Sequence, residues 1–330
     1  MLIPILLFLL GLGCLIKGGD WFVDGAVAVA KRFHVPDLLL GATVVSIGTT
    51  LPEVMVSASS AVTGHGEIAY GNAIGSIIYN TALIAAITLA FRPGAVDRKT
   101  LRTPVLFFAV AAVFYAAIAY TTGSFSRVVG ILLLLIFAVY LFVTVRQARA
   151  GTLPPPEPDT PGDGETPEKE ELEEPVWKAV LLLVVGAALI AVGAHLLVEN
   201  GTVIARELGV PESVIALTFV ALGTSLPELT TAIVSLIKGH GALSLGNVIG
   251  ANLFNLVLVA GLSTTLGPFD IPLEKQLFGQ NASLVLDLPL VFLTMGLLVL
   301  PALWKQKLYR WQGIVLLVLY FGFCTVQFVS

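Results

Sequence analysis

Two stretches of this 330-residue chain place a carboxylate, hydroxyls and a proline inside otherwise apolar sequence, "SIGTTLPEV" at 46–54 and "ALGTSLPEL" at 221–229. The two glutamates, Glu53 and Glu228, each directly follow a proline. A proline has no N–H for the helix ladder, and its ring opposes the carbonyl four residues back. Pro52 therefore works against Gly48 and Pro227 against Gly223, and backbone carbonyls around 46–49 and 221–224 are expected to open. Thr49, Thr50, Thr224 and Ser225 add hydroxyls to the same short segments. Carboxylate, carbonyl and hydroxyl oxygens are the ligand set of Ca²⁺ and Na⁺, and no cluster of Cys and His points to zinc or copper. Further along, Ser76 and Asn80 lie one turn apart and share a helix face, with Ala251 and Asn255 as their later counterparts.

The surroundings of these residues are a membrane. Hydrophobic residues make up 56% of the chain and charged residues 12%, with a mean hydropathy of +0.92. A soluble domain carries roughly a quarter charged residues. Residues 147–175 hold nine acids and two bases, so the net charge of −4 becomes +3 once that segment is set aside. The acidity therefore belongs to one linker and marks no nucleic-acid surface. Cys14 and Cys324 sit in apolar runs, which argues against a disulfide framework. The opening "MLIPILLFLLGLGC" lacks a basic leader and stays apolar past Cys14, so it reads as a first spanning helix rather than a cleaved signal.

A spanning helix needs about 20 mostly apolar residues. Ten candidates lie near 2–30, 37–63, 68–91, 103–121, 127–146, 177–205, 211–237, 242–266, 282–301 and 309–329. Lys and Arg accumulate on the cytoplasmic side. Alternate loops divide them 14 to 3, which places both termini outside and the linker in the cytoplasm. The domains are then residues 1–146, an acidic Pro/Gly-rich linker at 147–176 that cannot bury a core, and residues 177–330.

The two membrane halves repeat. Laid over each other, they align without a gap from Asp24/Glu199 to Asn80/Asn255, with 16 identities in 40 positions over 41–80 and 216–255. The identities include the "GTxLPE" core around each glutamate, "GHG" at 64–66 and 239–241, and the opening of "GNAIG" and "GNVIG" at 71 and 246. Two five-span units enter a membrane from opposite sides, because five is odd. The expected fold is thus an all-α membrane protein of ten transmembrane helices in two inverted five-helix repeats, with the glutamate segments meeting near the midplane as in many secondary transporters. Gly71, Gly75, Gly246 and Gly250 read as small-residue faces for close helix approach. Lys17, Asp20, Asp24, His195 and Glu199 are expected near helix ends or in local pairs, Asp287 at a helix start, and His65 and His240 in tight turns.

The motifs "GTTLPEV", "GTSLPEL", "GNAIGSIIYN" and "GNVIGANLFN" resemble the two α-repeats of the calcium/cation antiporter superfamily, closest to its prokaryotic sodium/calcium exchangers. The resemblance covers essentially the whole membrane part. It implies four central cation sites formed by the second, third, seventh and eighth spans. It implies that Glu53 and Glu228 bind Ca²⁺ with Thr49 and Thr224. Na⁺ would use the same glutamates with Thr50, Ser225, Ser76 and the backbone carbonyls of Ser46 and Ala221, and Asn80 and Asn255 would line the middle position. The first and sixth spans would slide across this core. Ala251 departs from the family's serine, leaving the number of Na⁺ sites open, and Asn255 departs from its aspartate, arguing against K⁺ co-transport.

The expected activity is Na⁺/Ca²⁺ antiport, with a Ca²⁺/H⁺ antiporter as the alternative that the hydroxyls disfavour. An intramembrane enzyme is not supported, since no HExxH occurs and no histidine lies on the glutamate segments. No resident cofactor, nucleic acid or obligate protein partner is implied; the partners are the two ions and the lipid bilayer. A cysteine placed at Gly162 should react with an impermeant maleimide only from the cytoplasmic side. Labelling from outside intact cells would overturn the charge count and the orientation together.

Overall fold

The computed structural model describes residues 2–33, 35–149, 175–208, 223–273, 276–277 and 279–329. The linker, Ala221 and the first part of the seventh expected span lie outside the described residues. What is described is helical apart from short strand pairs in the loops. α1 spans Leu2–Phe33, α2 Leu38–Thr49, α3 Leu51–Val62, α4 Gly66–Phe91, α5 Arg98–Thr121 and α6 Arg127–Arg149. After the linker come α7 (Val176–Glu207), α8 (Leu226–Ile237), α9 (Gly241–Leu266), α10 (Ser283–Lys305) and α11 (Arg310–Val329). By length and composition, seven of the described helices can cross a membrane, or eight if α2 and α3 count as one broken span.

Sequence chemistry explains the breaks. α2 and α3 meet at Thr50 with a bend of 47°, and Pro52 occupies the first turn of α3, where its missing N–H costs no ladder bond. Pro227 holds the same place in α8. The "GHG" turns are closed by matching bonds. His65 N–H donates to Ser60 O at 2.8 Å and Gly64 N–H to Ala61 O at 3.2 Å, while His240 and Gly239 do the same to Ser235 and Leu236. This is a Schellman end, and the glycines carry its left-handed residue at φ +83 and +91.

Packing divides into two apolar clusters. α1 and α7 lie together with Leu40, Val45 and Leu243, while the larger cluster is built around α4, α5, α9 and α10. α1 and α7 run antiparallel with glycine at the contacts. Gly11 faces Gly193, and Gly18 faces Gly186. In the repeat alignment Gly11 corresponds to Gly186 and Gly18 to Gly193, so each contact is the counterpart of the other with partners exchanged. The same exchange recurs elsewhere: Gly130 of α6 abuts Gly261 and Thr265 of α9, and Gly313 of α11 abuts Ala86 and Ala90 of α4. The loops follow suit. A two-residue strand β1 (Ser124–Phe125) pairs with β2 (Phe269–Asp270), and Ala95 bridges to Lys307.

Some residues stand differently from the sequence expectation. Asp287 does not start α10; the helix already begins at Ser283, whose N–H is held by Asn281 Oδ1 at 2.9 Å, and Asp287 instead accepts from Gln327 Nε2 at 3.3 Å. The small-residue expectation holds for Gly246, which presses on the Leu38 carbonyl, and for Gly250, which presses on Ala42 and Ser46. Gly71 and Gly75 meet nothing among the described residues, and the matching positions 213, 217 and 221 lie outside them. Asp20 and Asp24 sit well inside α1 rather than at its end, and Asp20 makes a local pair with Lys17 at 3.8 Å, as expected. Both cysteines are free.

A methyl group at Gly18 would come 2.8–2.9 Å from Leu189, Gly186 and Ile190, whereas one at Gly13 meets nothing within 4 Å. Gly18→Ala should therefore lower the thermal midpoint of the detergent-solubilised protein, by overpacking worth about 1–3 kcal/mol. Gly13→Ala should leave it unchanged or slightly raised, since alanine is the better helix former by about 1 kcal/mol.

Candidate functional site

The site is assembled from the ends of broken and distorted helices. Three helical runs around it carry a π turn beside a polar residue: Gly41–Val45 just before Ser46, Asn80–Ala85 in α4, and Asn255–Ala260 in α9. A π turn inserts one residue into the helix and redirects the side chains that follow, which is why such turns collect at functional sites. Here two of them begin at the two asparagines. The turn at Asn80 packs against α8, which Glu228 heads, and the turn at Asn255 packs against α3, which Glu53 heads.

Glu53 and Glu228 have no exposed surface. Each is reached by a hydroxyl from the other's segment. Thr50 Oγ1 donates to Glu228 Oε1 at 3.4 Å, and Ser225 Oγ donates to Glu53 Oε1 or to Ser76 Oγ, both at 3.3 Å. These are long contacts from neutral donors, and they weaken steeply at such lengths. The second oxygen of each carboxylate, Oε2, is buried without a hydrogen-bond partner among the described residues, and so are both polar atoms of Asn80 and of Asn255. Among the described residues no Lys, Arg or His pairs with either glutamate. A buried carboxylate left this way costs several kcal/mol unless it takes up a proton or a cation, so the arrangement is one that can hold positive charge. The donor set is all oxygen, and no group of three or more His, Cys, Asp or Glu gathers elsewhere among the described residues.

Thr49 and Thr224 hold equivalent places one step outward. Thr49 Oγ1 donates to Asn247 Oδ1 at 3.2 Å, and Thr224 Oγ1 donates to Asn72 Oδ1 at 3.1 Å. Ser46 is less open than the sequence implies. Its carbonyl accepts the Thr50 N–H at 3.0 Å, leaving one lone pair, and its hydroxyl bonds Gly41 O at 2.7 Å and Asn247 O at 2.9 Å. The helix break thus falls at Thr50 rather than across 46–49. Two interlocked hydrogen-bonded groups result. Thr50 bonds Glu228 and Ser225 bonds Glu53 directly, Ser46 and Thr49 meet at Asn247, and Thr224 reaches the Glu53 backbone through Asn72, with Ser76 beside Ser225. Ala221 lies outside the described residues.

Asn72, which joins the two glutamate segments, and Asn247, which ties α9 to Ser46 and Thr49, are not among the site residues expected from sequence. Their signal is present in the repeat, where "GN" recurs at 71–72 and 246–247, but the glycines beside them overshadow it. A second feature outside the core also escapes a sequence reading: Lys238, at the end of α8, bonds Asp24 at 2.6 Å and Asp20 at 3.4 Å on α1. His195 and Glu199 pair locally within α7 at 3.4 Å, as the sequence leads one to expect. A small cavity of about 10 Å³, room for one water, lies where α1 and α7 cross the site, between Phe22, Ile190, Thr49, Pro52 and Pro227.

The family described as sodium/calcium exchanger protein matches residues 3–146 and 178–329, nearly the whole chain outside the linker. The sodium/calcium exchanger MaX1 of Methanosarcina acetivorans is 30% identical, over 98% of each chain. The inner membrane protein YrbG of Escherichia coli is 35% identical over 88% of each. A solved structure of the sodium-calcium exchanger NCX_Mj, soaked with Na⁺ and Sr²⁺, superposes with a TM-score of 0.80 at 31% identity, covering 100% of this chain and 98% of that one.

Proposed function

The chain belongs to the sodium/calcium exchanger protein family, and on that premise we propose that it exchanges Na⁺ for Ca²⁺ across the membrane by alternating access at the Glu53–Glu228 site. The observation that carries the reading is the crossed pair of contacts, Thr50 to Glu228 and Ser225 to Glu53, around carboxylate oxygens that the described residues leave without partners. Glu53, Glu228, Thr49 and Thr224 form the Ca²⁺ site. Thr50, Ser225, Ser76 and the carbonyls of Ser46 and Ala221 complete the Na⁺ positions around the same glutamates, with Asn80 and Asn255 between.

The two halves are inverted five-helix repeats within a ten-helix fold, joined by the cytoplasmic linker at 147–176, with the termini outside. Contacts that recur with both partners replaced by their repeat counterparts support this, since a two-fold axis between the halves produces that exchange. Gly11–Gly193 with Gly18–Gly186, and Thr49–Asn247 with Thr224–Asn72, are examples. An axis lying in the membrane plane gives each half the opposite topology. The separate apolar cluster of α1 and α7, with the small cavity beneath it, supports motion of that pair over the site.

Charge balance supports this exchange. One Ca²⁺ balances the −2 of two carboxylates, so the ion can be carried through a low-dielectric interior. Na⁺ competes because it takes the same hard oxygens and the hydroxyls offer it lone pairs that a proton would not need. Three Na⁺ for one Ca²⁺ would leave one net charge to move, coupled to the membrane potential at about 2.3 kcal/mol per 100 mV, whereas two Na⁺ would neutralise the pair as Ca²⁺ does and leave exchange indifferent to voltage.

Ca²⁺ uptake into vesicles should follow an imposed Na⁺ gradient and not a pH gradient of equal size. Uptake driven by the pH gradient alone would replace this reading with Ca²⁺/H⁺ antiport. Glu53→Gln and Glu228→Gln should each weaken Ca²⁺ exchange more than a hundredfold, as removal of one partner from a buried ionic set costs about 3–5 kcal/mol; near wild-type exchange in both would remove the site. With vesicles clamped at different potentials, the rate should depend on voltage and the Na⁺ Hill slope should exceed two. Ala251→Ser should raise Na⁺ affinity by restoring a hydroxyl at the inner position, and an unchanged affinity would mean that position is not a ligand.

A further inference from the structure

We infer that Asn72 is a positioning residue that commits the proton of Thr224 away from the ion site, so that the hydroxyl faces the cation with lone pairs only. The inference rests on the reading of Thr224 as a Ca²⁺ ligand. It starts from an ambiguity that every threonine ligand has. A hydroxyl carries one donor and two acceptor positions and rotates to suit its neighbours. Beside two buried carboxylates it is drawn to donate to them, and a hydroxyl donating into the site turns its proton, not its lone pair, toward an arriving cation.

Asn72 removes that freedom through a chain of fixed polarities. Its Nδ2 lies 3.2 Å from the backbone carbonyl of Glu53. A carbonyl oxygen only accepts, so the atom facing it must be the amide nitrogen, and the side chain cannot be flipped. The same nitrogen reaches Ser57 Oγ at 2.8 Å, which spends its second proton. Oδ1 is therefore the atom turned to Thr224, 3.1 Å away, and since Oδ1 only accepts, Thr224 must donate. Its proton is used, and both lone pairs remain for the ion. The backbone of the glutamate thus sets the polarity of the opposite half's threonine.

The matching position shows what the arrangement adds. Asn247 also accepts from Thr49, at 3.2 Å, but shares that oxygen with Ser46, and its Nδ2 is buried without a partner among the described residues. Ser57 is replaced there by Ala232. The orientation of Asn72 is anchored on both sides of its amide, and that of Asn247 on one.

The test is a double-mutant cycle on Ca²⁺ exchange in vesicles holding the full chain, with Asn72→Ala and Thr224→Val singly and together. Asn72→Ala should raise the apparent KM for Ca²⁺ roughly twofold to tenfold, the size of one net hydrogen bond, with the rate at saturating Ca²⁺ little changed. Thr224→Val should raise KM as well, and adding Asn72→Ala to it should change nothing further, because the hydroxyl to be oriented is gone. Should Asn72→Ala not fold, Asn72→Ser, which keeps a polar group but is too short to span Glu53 and Thr224 together, takes its place in the same cycle. An equal rise in KM with and without the Thr224 hydroxyl, or a fall in rate with KM unchanged, would overturn the positioning role while leaving Thr224 a ligand. If Thr224→Val leaves KM unchanged, the ligand assignment fails and takes this inference with it.

Discussion

Two carboxylates without exposed surface, in a chain otherwise built to be apolar, set the terms for everything around them. Glu53 and Glu228 each receive one long hydroxyl contact, and each keeps one buried oxygen that no described residue reaches. Burying an ion of that kind costs several kcal/mol even after relaxation. A structural ion pair would relieve the cost with an arginine or lysine, and a structural hydrogen-bond network would fill each lone pair. Among the described residues this protein does neither, at the one place where the penalty is greatest. On the exchanger reading, the affinity for a cation is stored in the fold itself, as charge that no described side chain neutralises.

The backbone is shaped to set further oxygen atoms beside that charge and to close it off from bulk water. A continuous helix through 38–62 would spend its carbonyls and hydroxyls internally. The break at Thr50, followed by Pro52, swings α3 by 47° and brings Glu53 to the first turn of a helix, where N–H groups are unspent and negative charge is favoured. α8 does the same for Glu228. Close approach of the neighbouring helix then seals the site, and glycine is what permits it: Gly41 comes within 2.7 Å of the Asn247 nitrogen by the position of its absent Cβ, and Gly246 presses on Leu38. Any side chain there would separate α2 from α9 and draw Asn247 away from Thr49.

Much of this was legible from the sequence. A proline before a glutamate in apolar sequence announces both the break and the charge, and the recurrence of that motif in the second half announces that the two segments belong to one site. Residue types that act through backbone geometry were harder to read. The π turns at Asn80 and Asn255 leave no mark in composition, because a one-residue insertion in a helix changes no periodicity that a short polar interval can reveal. Asn72 and Asn247 were hidden beside glycines that explain their motif well enough by packing. Asp287 before Pro289 imitates a helix start, yet the helix already begins at Ser283, whose N–H is held by Asn281. Lys238 pairs with Asp20 and Asp24 from the far half of the chain, and only the fold brings them together.

On the inverted-repeat reading, the differences between the halves carry as much meaning as the likenesses. If the two repeats were identical, exchanging their conformations would turn an outward-open protein into an inward-open one of equal free energy. Any bias between the two states must then come from positions where the halves differ, since only a differential interaction can shift such an equilibrium. Several of those positions are polar. Ser57 corresponds to Ala232, Ser46 to Ala221, Ser76 to Ala251, and Lys238 stands where the first half has Thr63. The last is the largest in charge: Lys238 ties α8 to Asp20 and Asp24 of α1, whereas Thr63 bonds within its own turn, to Ser59 and Ser60 at 3.0 and 3.1 Å. The pair is partly exposed, so its worth is modest and falls with salt. A modest term is nevertheless what such a machine tolerates, because a tie of several kcal/mol would hold one state and stop the cycle.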